Sequence, residues 1–202
     1  MTSLLQSESY LLKIVFIGES GSGKTSIVSR FINDTFSEDL SPTIGASFIN
    51  KTISYQEKNV ELSLWDTAGQ EAYRGLMPMY YRNAIAAVIV FDVTKQESFN
   101  KVQSWIDELK NACDAITMII CGNKIDLEDK RIITTSDAQN LANIHNINYC
   151  EVSAKENIGI QMLFQKIVRL IDENSPDLIE RMKNKPEETF DNNDSNKKGD
   201  CC

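Results

Sequence analysis

An apolar run from Leu11 to Ile17 leads directly into Gly18-Glu19-Ser20-Gly21-Ser22-Gly23-Lys24-Thr25, and a segment of helical period, Ser26 to Asn33, follows. A strand, a loop matching G-x-x-x-x-G-K-[ST] and a helix, in that order, leave few folds open. The glycines let the backbone curl until its N–H groups face a polyphosphate, and the helix N-terminus adds a favourable dipole. Lys24 would reach the β and γ oxygens, and Thr25 would offer its hydroxyl to magnesium. Ser20, Gly21, Ser22, Gly23, Lys24, Thr25 and Ser26 are therefore candidate nucleotide-binding residues. The loop alone does not choose the base, because kinases and ATPases share it.

The rest of the chain repeats the alternation. Ala86 to Val93 is strand-like and Gln96 to Asn111 helical; Ile116 to Cys121 is followed by Ser136 to His145, and Asn148 to Val152 by Asn157 to Asp172. Such alternation predicts an α/β fold with a mostly parallel sheet. Phe99, Val102, Ile106 and Leu109 fall on one helix face, and Ile160, Leu163, Phe164, Ile167, Val168 and Ile171 form a second stripe; both read as core. One pair departs from the pattern. Ser47 to Gln56 and Val60 to Trp65 flank a polar turn around Glu57 to Asn59, which predicts a hairpin with an antiparallel edge strand.

At 202 residues the chain fits one domain with a tail and can bury a core without disulfides or structural metal. The folded domain is placed at 8–174 and a disordered tail at 175–202, where Asn, Asp, Glu and Lys crowd and apolar periodicity vanishes. A net charge of −8 argues against nucleic acid as a partner. No apolar run reaches the roughly 18 to 20 residues of a membrane span. The first ten residues lack a signal-peptide core, and Thr2 stands where myristoylation needs glycine, so a cytosolic chain is expected. Cys113, Cys121 and Cys150 stand singly and read as buried, inert thiols; His145 has no partners at metal-ligand spacing.

Three further motifs carry chemistry. Asn123-Lys124-Ile125-Asp126 sits at the C-terminal end of an apolar strand, where open α/β sheets bind ligands. A carboxylate at Asp126 can accept from N1–H and the 2-amino group of guanine, whereas adenine lacks both donors. Ser153-Ala154-Lys155 follows the next strand and can give a backbone N–H to guanine O6. In Trp65-Asp66-Thr67-Ala68-Gly69-Gln70, Asp66 is placed to hold magnesium through water, Gly69 to bring its N–H to the γ-phosphate, and Gln70 to orient the attacking water. Thr43, in a loop, is a second hydroxyl ligand.

With these motifs the sequence resembles the Ras-like small GTPases over nearly all of residues 10–174, and within them it looks like a Rab. The resemblance rests on Thr43-Ile44-Gly45-Ala46-Ser47-Phe48, on Trp65 through Glu71, on Met79-Tyr80-Tyr81-Arg82 and on the terminal Cys201-Cys202. It implies a six-stranded mixed sheet with helices on both faces, Mg²⁺ and GTP or GDP as ligands, and slow hydrolysis accelerated by a GTPase-activating protein. It further implies Phe36 edge-on to guanine, an effector patch of Phe48, Trp65 and Tyr80, and geranylgeranyl groups on Cys201 and Cys202. An exchange factor, a GDP-dissociation inhibitor and a prenylation escort come with the family. Thr-Ile-Gly-Ala-Ser-Phe and Pro78-Met79-Tyr80-Tyr81 look like the endosomal branch, a cytoplasmic protein cycling onto intracellular membranes in vesicle trafficking. Two departures stand out: Ala72 replaces the usual arginine, and the Ser20 side chain can crowd an incoming arginine finger. An ATP-dependent phosphotransferase is disfavoured by Asn123 and Asp126, and a non-hydrolysing scaffold by the presence of Thr25 and Gln70.

Overall fold

β1 (Leu12–Ile17) is apolar at nearly every position because both of its faces are covered, as central strands of parallel sheets require. The computed structural model describes residues 11–39, 41–69, 75, 77–113 and 115–178. In chain order β1 is followed by α1 (Lys24–Asn33), β2 (Ala46–Tyr55), β3 (Lys58–Thr67), α2 (Met77–Tyr81), β4 (Ala86–Asp92), α3 (Gln96–Asn100), α4 (Val102–Ala112), β5 (Thr117–Asn123), α5 (Thr135–His145), β6 (Asn148–Val152) and α6 (Ile160–Asn174). Six strands form one sheet in the order β2-β3-β1-β4-β5-β6. Every neighbouring pair is parallel except β2 with β3. The expected mixed sheet is the one observed.

Alternate residues of the central strands feed two cores. Ile14, Phe16, Val88 and Val90 pack with Ile27 and Phe31 of α1 and with the Leu163–Phe164–Ile167–Ile171 stripe of α6. Val15, Ile17, Ile89 and Phe91 face the other way, against α2, α4 and α5 through Met77, Ile106, Leu109 and Ala138. Helices thus cover both faces. Phe31 stacks on Phe164 with ring centroids 3.5 Å apart, which ties α1 to α6.

Local chemistry adjusted several expected boundaries. The hairpin turns on Gln56 and Glu57, both with positive φ (48° and 64°), so it is tighter and one residue earlier than the polar stretch suggested. The helix expected over 96–111 divides at Lys101 into α3 and α4; the Lys101 carbonyl accepts from Ser104 Oγ at 2.8 Å as well as from Trp105 N–H at 3.2 Å. α6 begins at Ile160, after its N-cap Gly159, rather than at Asn157 and runs through Asn174; residues 176–178, expected to be tail, keep helical form. Tyr55 O–H reaches Asp172 Oδ2 at 3.2 Å and fastens the hairpin to the last turn of α6. Among the described residues no helix is long and apolar enough to cross a membrane.

Candidate functional site

The loops at the C-terminal ends of β1, β3, β5 and β6 enclose a cavity of about 420 Å³. Its wall contains Ser20, Gly21, Gly23, Lys24, Thr25 and Ser26 from the first loop, Phe36 and Thr43 from the segment before β2, and Gly69 after β3. Asn123, Lys124, Asp126, Ala154 and Lys155 close the far end. Ser22 is 1% exposed behind this wall. Residues from five separate stretches of sequence therefore meet around one cavity, with Asn123 and Asp126 at one end and the glycine-rich loop at the other.

The phosphate end is built on the start of α1. Gly21 and Gly23 hold positive φ (75° and 94°), which curls the loop around the Lys24 ammonium. Lys24 Nζ donates to the Gly18 carbonyl at 2.8 Å and the Glu19 carbonyl at 3.1 Å. Burial pushes its pKa down to about 8, against the attraction of Asp66 and Glu19. Gly69 closes the same loop from above: a Cβ there would lie 2.4 Å from Ser20 N and 2.6 Å from Lys24 Nζ, so no side chain fits.

Three oxygen donors converge beside Lys24. Thr25 Oγ1 donates to Asp66 Oδ2 at 2.7 Å, and Thr43 Oγ1 lies 2.9 Å from Thr25 Oγ1. Burial raises the Asp66 pKa, while the Thr25 hydrogen bond and Lys24 oppose it. Among the described residues Asp66 Oδ1 is buried with no hydrogen-bond partner, as is Ser22 Oγ. Two hydroxyls and a carboxylate with an unfilled oxygen make a hard, oxygen-only set, which suits Mg²⁺ completed by water and phosphate. Among the described residues no cluster of three or more His, Cys, Asp or Glu offers an alternative metal centre.

The base end is held by side chains on β5 and β6. Asn123 is buried; its Nδ2 donates to the Ser22 carbonyl at 2.9 Å and its Oδ1 accepts from Ala154 N–H at 3.3 Å, so one amide links the phosphate loop to the base loop. Ser153 Oγ donates to Asp126 Oδ1 at 2.5 Å, fixing one carboxylate oxygen. Lys124 Nζ bonds the Gly21 carbonyl at 2.7 Å and pairs with Asp92 Oδ2 at 2.7 Å. These contacts place Asn123, Lys124, Asp126, Ser153, Ala154 and Lys155 in one constellation.

Some members carried no signal in the sequence. Arg30 of α1 donates Nε to the Ala154 carbonyl and a terminal nitrogen to the Lys155 carbonyl, both at 2.9 Å. Its other terminal nitrogen donates to the Asp34 carbonyl at 2.7 Å and to Asp34 Oδ1 at 3.1 Å. Asn157 Nδ2 also reaches Asp34 Oδ1, and Lys155 pairs with Glu38 at 2.7 Å. The stretch carrying Phe36 is thereby laced to the base loop. Arg30 lies over a hundred residues from its loop partners, and no local motif marks such a tie.

Of the three aromatics expected to form a patch, two stack on each other. Phe48 and Trp65 are register partners on β2 and β3 and stack at 5.2 Å, with Phe48 61% exposed and Lys13 Nζ 4.0 Å from the Trp65 ring. Tyr80 is half-buried against the same core, and Ala68 N–H donates to the Gly45 carbonyl at 2.7 Å, joining the loop before β2 to the end of β3. The cysteine expectation needs correcting: Cys121 is buried, but Cys113 and Cys150 are only partly so, because each sits at the rim of its core. Gln70, Ala72, Cys201 and Cys202 lie outside the described residues.

Comparison with known proteins adds the following. The Ras family model matches residues 13–173. Ras-related protein Rab-22A of Canis lupus familiaris is 46% identical over 169 residues, 82% of this chain and 87% of that protein. Ras-related protein Rab-31 of Rattus norvegicus is 47% identical, covering 79% of this chain and 83% of its own length. Ras-related protein Rab-3B of Homo sapiens is 39% identical over 176 residues, 87% of this chain and 80% of that protein.

Proposed function

This chain belongs to the Ras family, among its Rab GTPases, and on that premise we propose that it is a magnesium-dependent switch of endosomal vesicle traffic whose slow GTP hydrolysis is timed by a GTPase-activating protein. It binds guanine nucleotide and hydrolyses GTP as a member of that family. The observation that carries the finer reading is the meeting of Thr25, Thr43 and Asp66 beside Lys24, in a cavity whose other end is Asn123 and Asp126.

In this reading Asp126 accepts two hydrogen bonds from the guanine edge, held at the correct angle by Ser153, and Ala154 gives its N–H to O6. Phe36 covers the base. The N–H groups of Ser20 through Ser26 and the Lys24 ammonium bind the phosphates. Magnesium on Thr25, Thr43 and, through water, Asp66 would offset charge developing between the β- and γ-phosphates. Gly69 contributes its N–H to the γ-phosphate and Gln70 orients the attacking water. Because Ala68 bonds the Gly45 carbonyl, loss of the γ-phosphate contact at Gly69 reaches the loop of Thr43 and, through it, the Phe48–Trp65–Tyr80 patch that effectors read. Unaided sites of this kind turn over on the order of 10⁻⁴ to 10⁻³ per second, and an arginine supplied in trans raises this by roughly 10³ to 10⁵.

Single-turnover hydrolysis of GTP with and without Mg²⁺ tests the reading, paired with competition binding on Asp126→Asn. Turnover should depend on Mg²⁺, and the variant should exchange its GTP preference for xanthosine triphosphate, whose 2-oxo group accepts from an amide. Unchanged GTP preference would remove Asp126 from the site.

A further inference from the structure

Two thiols that nucleotide binding does not use lie side by side beneath the base loops. Cys121 on β5 and Cys150 on β6 are register partners in the parallel β5–β6 ladder. Partners in a ladder project to the same face of the sheet, and neighbouring strands run about 4.8 Å apart, inside the roughly 4.4 to 6.8 Å between α-carbons that a disulfide bridges. Both side chains pack against the same core, and the neighbouring Cys150 and burial hold the Cys121 thiol in its protonated form.

The pair is asymmetric in access. Cys121 is fully buried, while Cys150 is partly exposed at the wall of an open groove of about 730 Å³ beside α6. Lys166 and Arg169 line that groove, with Lys166 Nζ held 2.8 Å from the Tyr149 carbonyl next to Cys150. Glu151, the acid on the same strand, is occupied by Arg131 at 3.0 Å. The accessible sulfur therefore opens on a groove whose wall carries two cationic side chains.

We propose that Cys121 and Cys150 form a modification site for peroxides, an intramolecular disulfide whose closure loosens the grip on the nucleotide. The Cys150 thiolate attacks one peroxide oxygen, the O–O bond breaks, and hydroxide leaves to become water, with the sulfur oxidised to a sulfenic acid. Cys121 sulfur then attacks that sulfur, the S–O bond breaks, and the departing hydroxide takes the Cys121 proton as a second water. Two thiols and one peroxide give one disulfide and two waters.

The consequence rests on the guanine-site reading above. Asn123 stands two residues after Cys121, and Ser153 three after Cys150. A disulfide wants its β-carbons about 3.5 to 4.5 Å apart, closer than a parallel ladder ordinarily holds them, so closure shifts the two strands against each other. The contacts directly downstream are Asn123 to Ala154 at 3.3 Å and Ser153 to Asp126 at 2.5 Å, and both span these two strands. Strain in the closed bond makes it easily reduced, so the modification reverses with a thiol reductant.

The test uses the full chain loaded with a fluorescent GDP analogue and treated with hydrogen peroxide. Peptide mapping should recover one linked pair containing Cys121 and Cys150, and analogue release should accelerate by roughly 5- to 150-fold, the usual range of coupling between sites, returning to the starting rate after reduction. Cys150→Ser should abolish both effects. Cys121→Ala should stop at a sulfenic acid on Cys150, trapped by a cyclic dione, with release unchanged. Absence of the linked pair overturns the site, and a linked pair with unchanged release overturns its coupling to the nucleotide. A chain that binds no analogue before oxidation refutes the guanine reading instead, and the mapping result stands apart from it.

Discussion

Arg30→Gln should speed nucleotide release far more than its surface position suggests. The side chain is 14% exposed and bonds the Ala154, Lys155 and Asp34 carbonyls as well as the Asp34 carboxylate. The acceptors at Lys155 and Asp34 are exposed, so water replaces Arg30 there at little cost. The bond to the Ala154 carbonyl is partly buried, and a bond from a charged donor contributes about 1.5 to 3 kcal/mol. Counting that bond alone gives about 2 kcal/mol, and if release requires the base loop and the Phe36 segment to part, the off-rate rises about 30-fold. Stopped-flow displacement of a fluorescent GDP analogue measures it, with thermal melting of the nucleotide-loaded protein as the parallel reading. Asp34→Ala removes only the exposed end of the tie and should change release by about twofold or less. An Arg30→Gln off-rate within about twofold of the parent, alongside a lowered melting temperature, would reduce Arg30 to a packing role and refute the reasoning.

Other perturbations give equally definite expectations. Gln70→Leu should keep GTP affinity while slowing single-turnover hydrolysis by about tenfold or more, because the contact with water matters in the transition state; an unaltered rate would demote Gln70. In membrane fractionation of lipidated protein, Cys201→Ser should become largely extractable and the double Cys→Ser variant fully soluble, since each buried CH₂ adds about 0.8 kcal/mol and a single chain anchors only marginally. Glu151 is held below the ordinary carboxylate value of 4.5: burial works to raise it, but hydrogen bonds from Arg131, Tyr149 and Thr135 outweigh burial. The stability it lends is complete above pH 4.5 and lost as pH falls through the lower folded value, so Glu151→Gln should flatten the decline of melting temperature below pH 4.5.

The phosphate loop and the central sheet were legible because their physics is local. Gly18 through Thr25 encode their own curvature, and strands buried on both faces show as unbroken apolar runs such as Ala86 to Phe91. The placing of Asn123 and Asp126 on the cavity wall was legible for a different reason: they follow an apolar strand, and open α/β sheets put ligand sites at strand ends. What stayed hidden depends on contacts between distant segments. Nothing around Arg30 announces carbonyls at 154 and 155, and nothing around Lys101 announces the division of one helix into α3 and α4. The thiols mislead for the same reason. Cys121 and Cys150 look like isolated small hydrophobes until strand register sets them opposite each other.

The Tyr55–Asp172 hydrogen bond fixes an orientation as well as a contact. β3 runs from the hairpin at Lys58 to Thr67 beside the nucleotide cavity, ten residues and therefore about 30 Å. α6 begins at the base loop and travels back the same way, ending where Asp172 meets the hairpin and where Asn174 meets Thr117 at the start of β5. Ligand chemistry and the exit of the chain toward its C-terminus thus occupy opposite poles. The Gln56–Glu57 turn, at the pole opposite the cavity, is thus a place to attach a probe that leaves the cavity walls untouched.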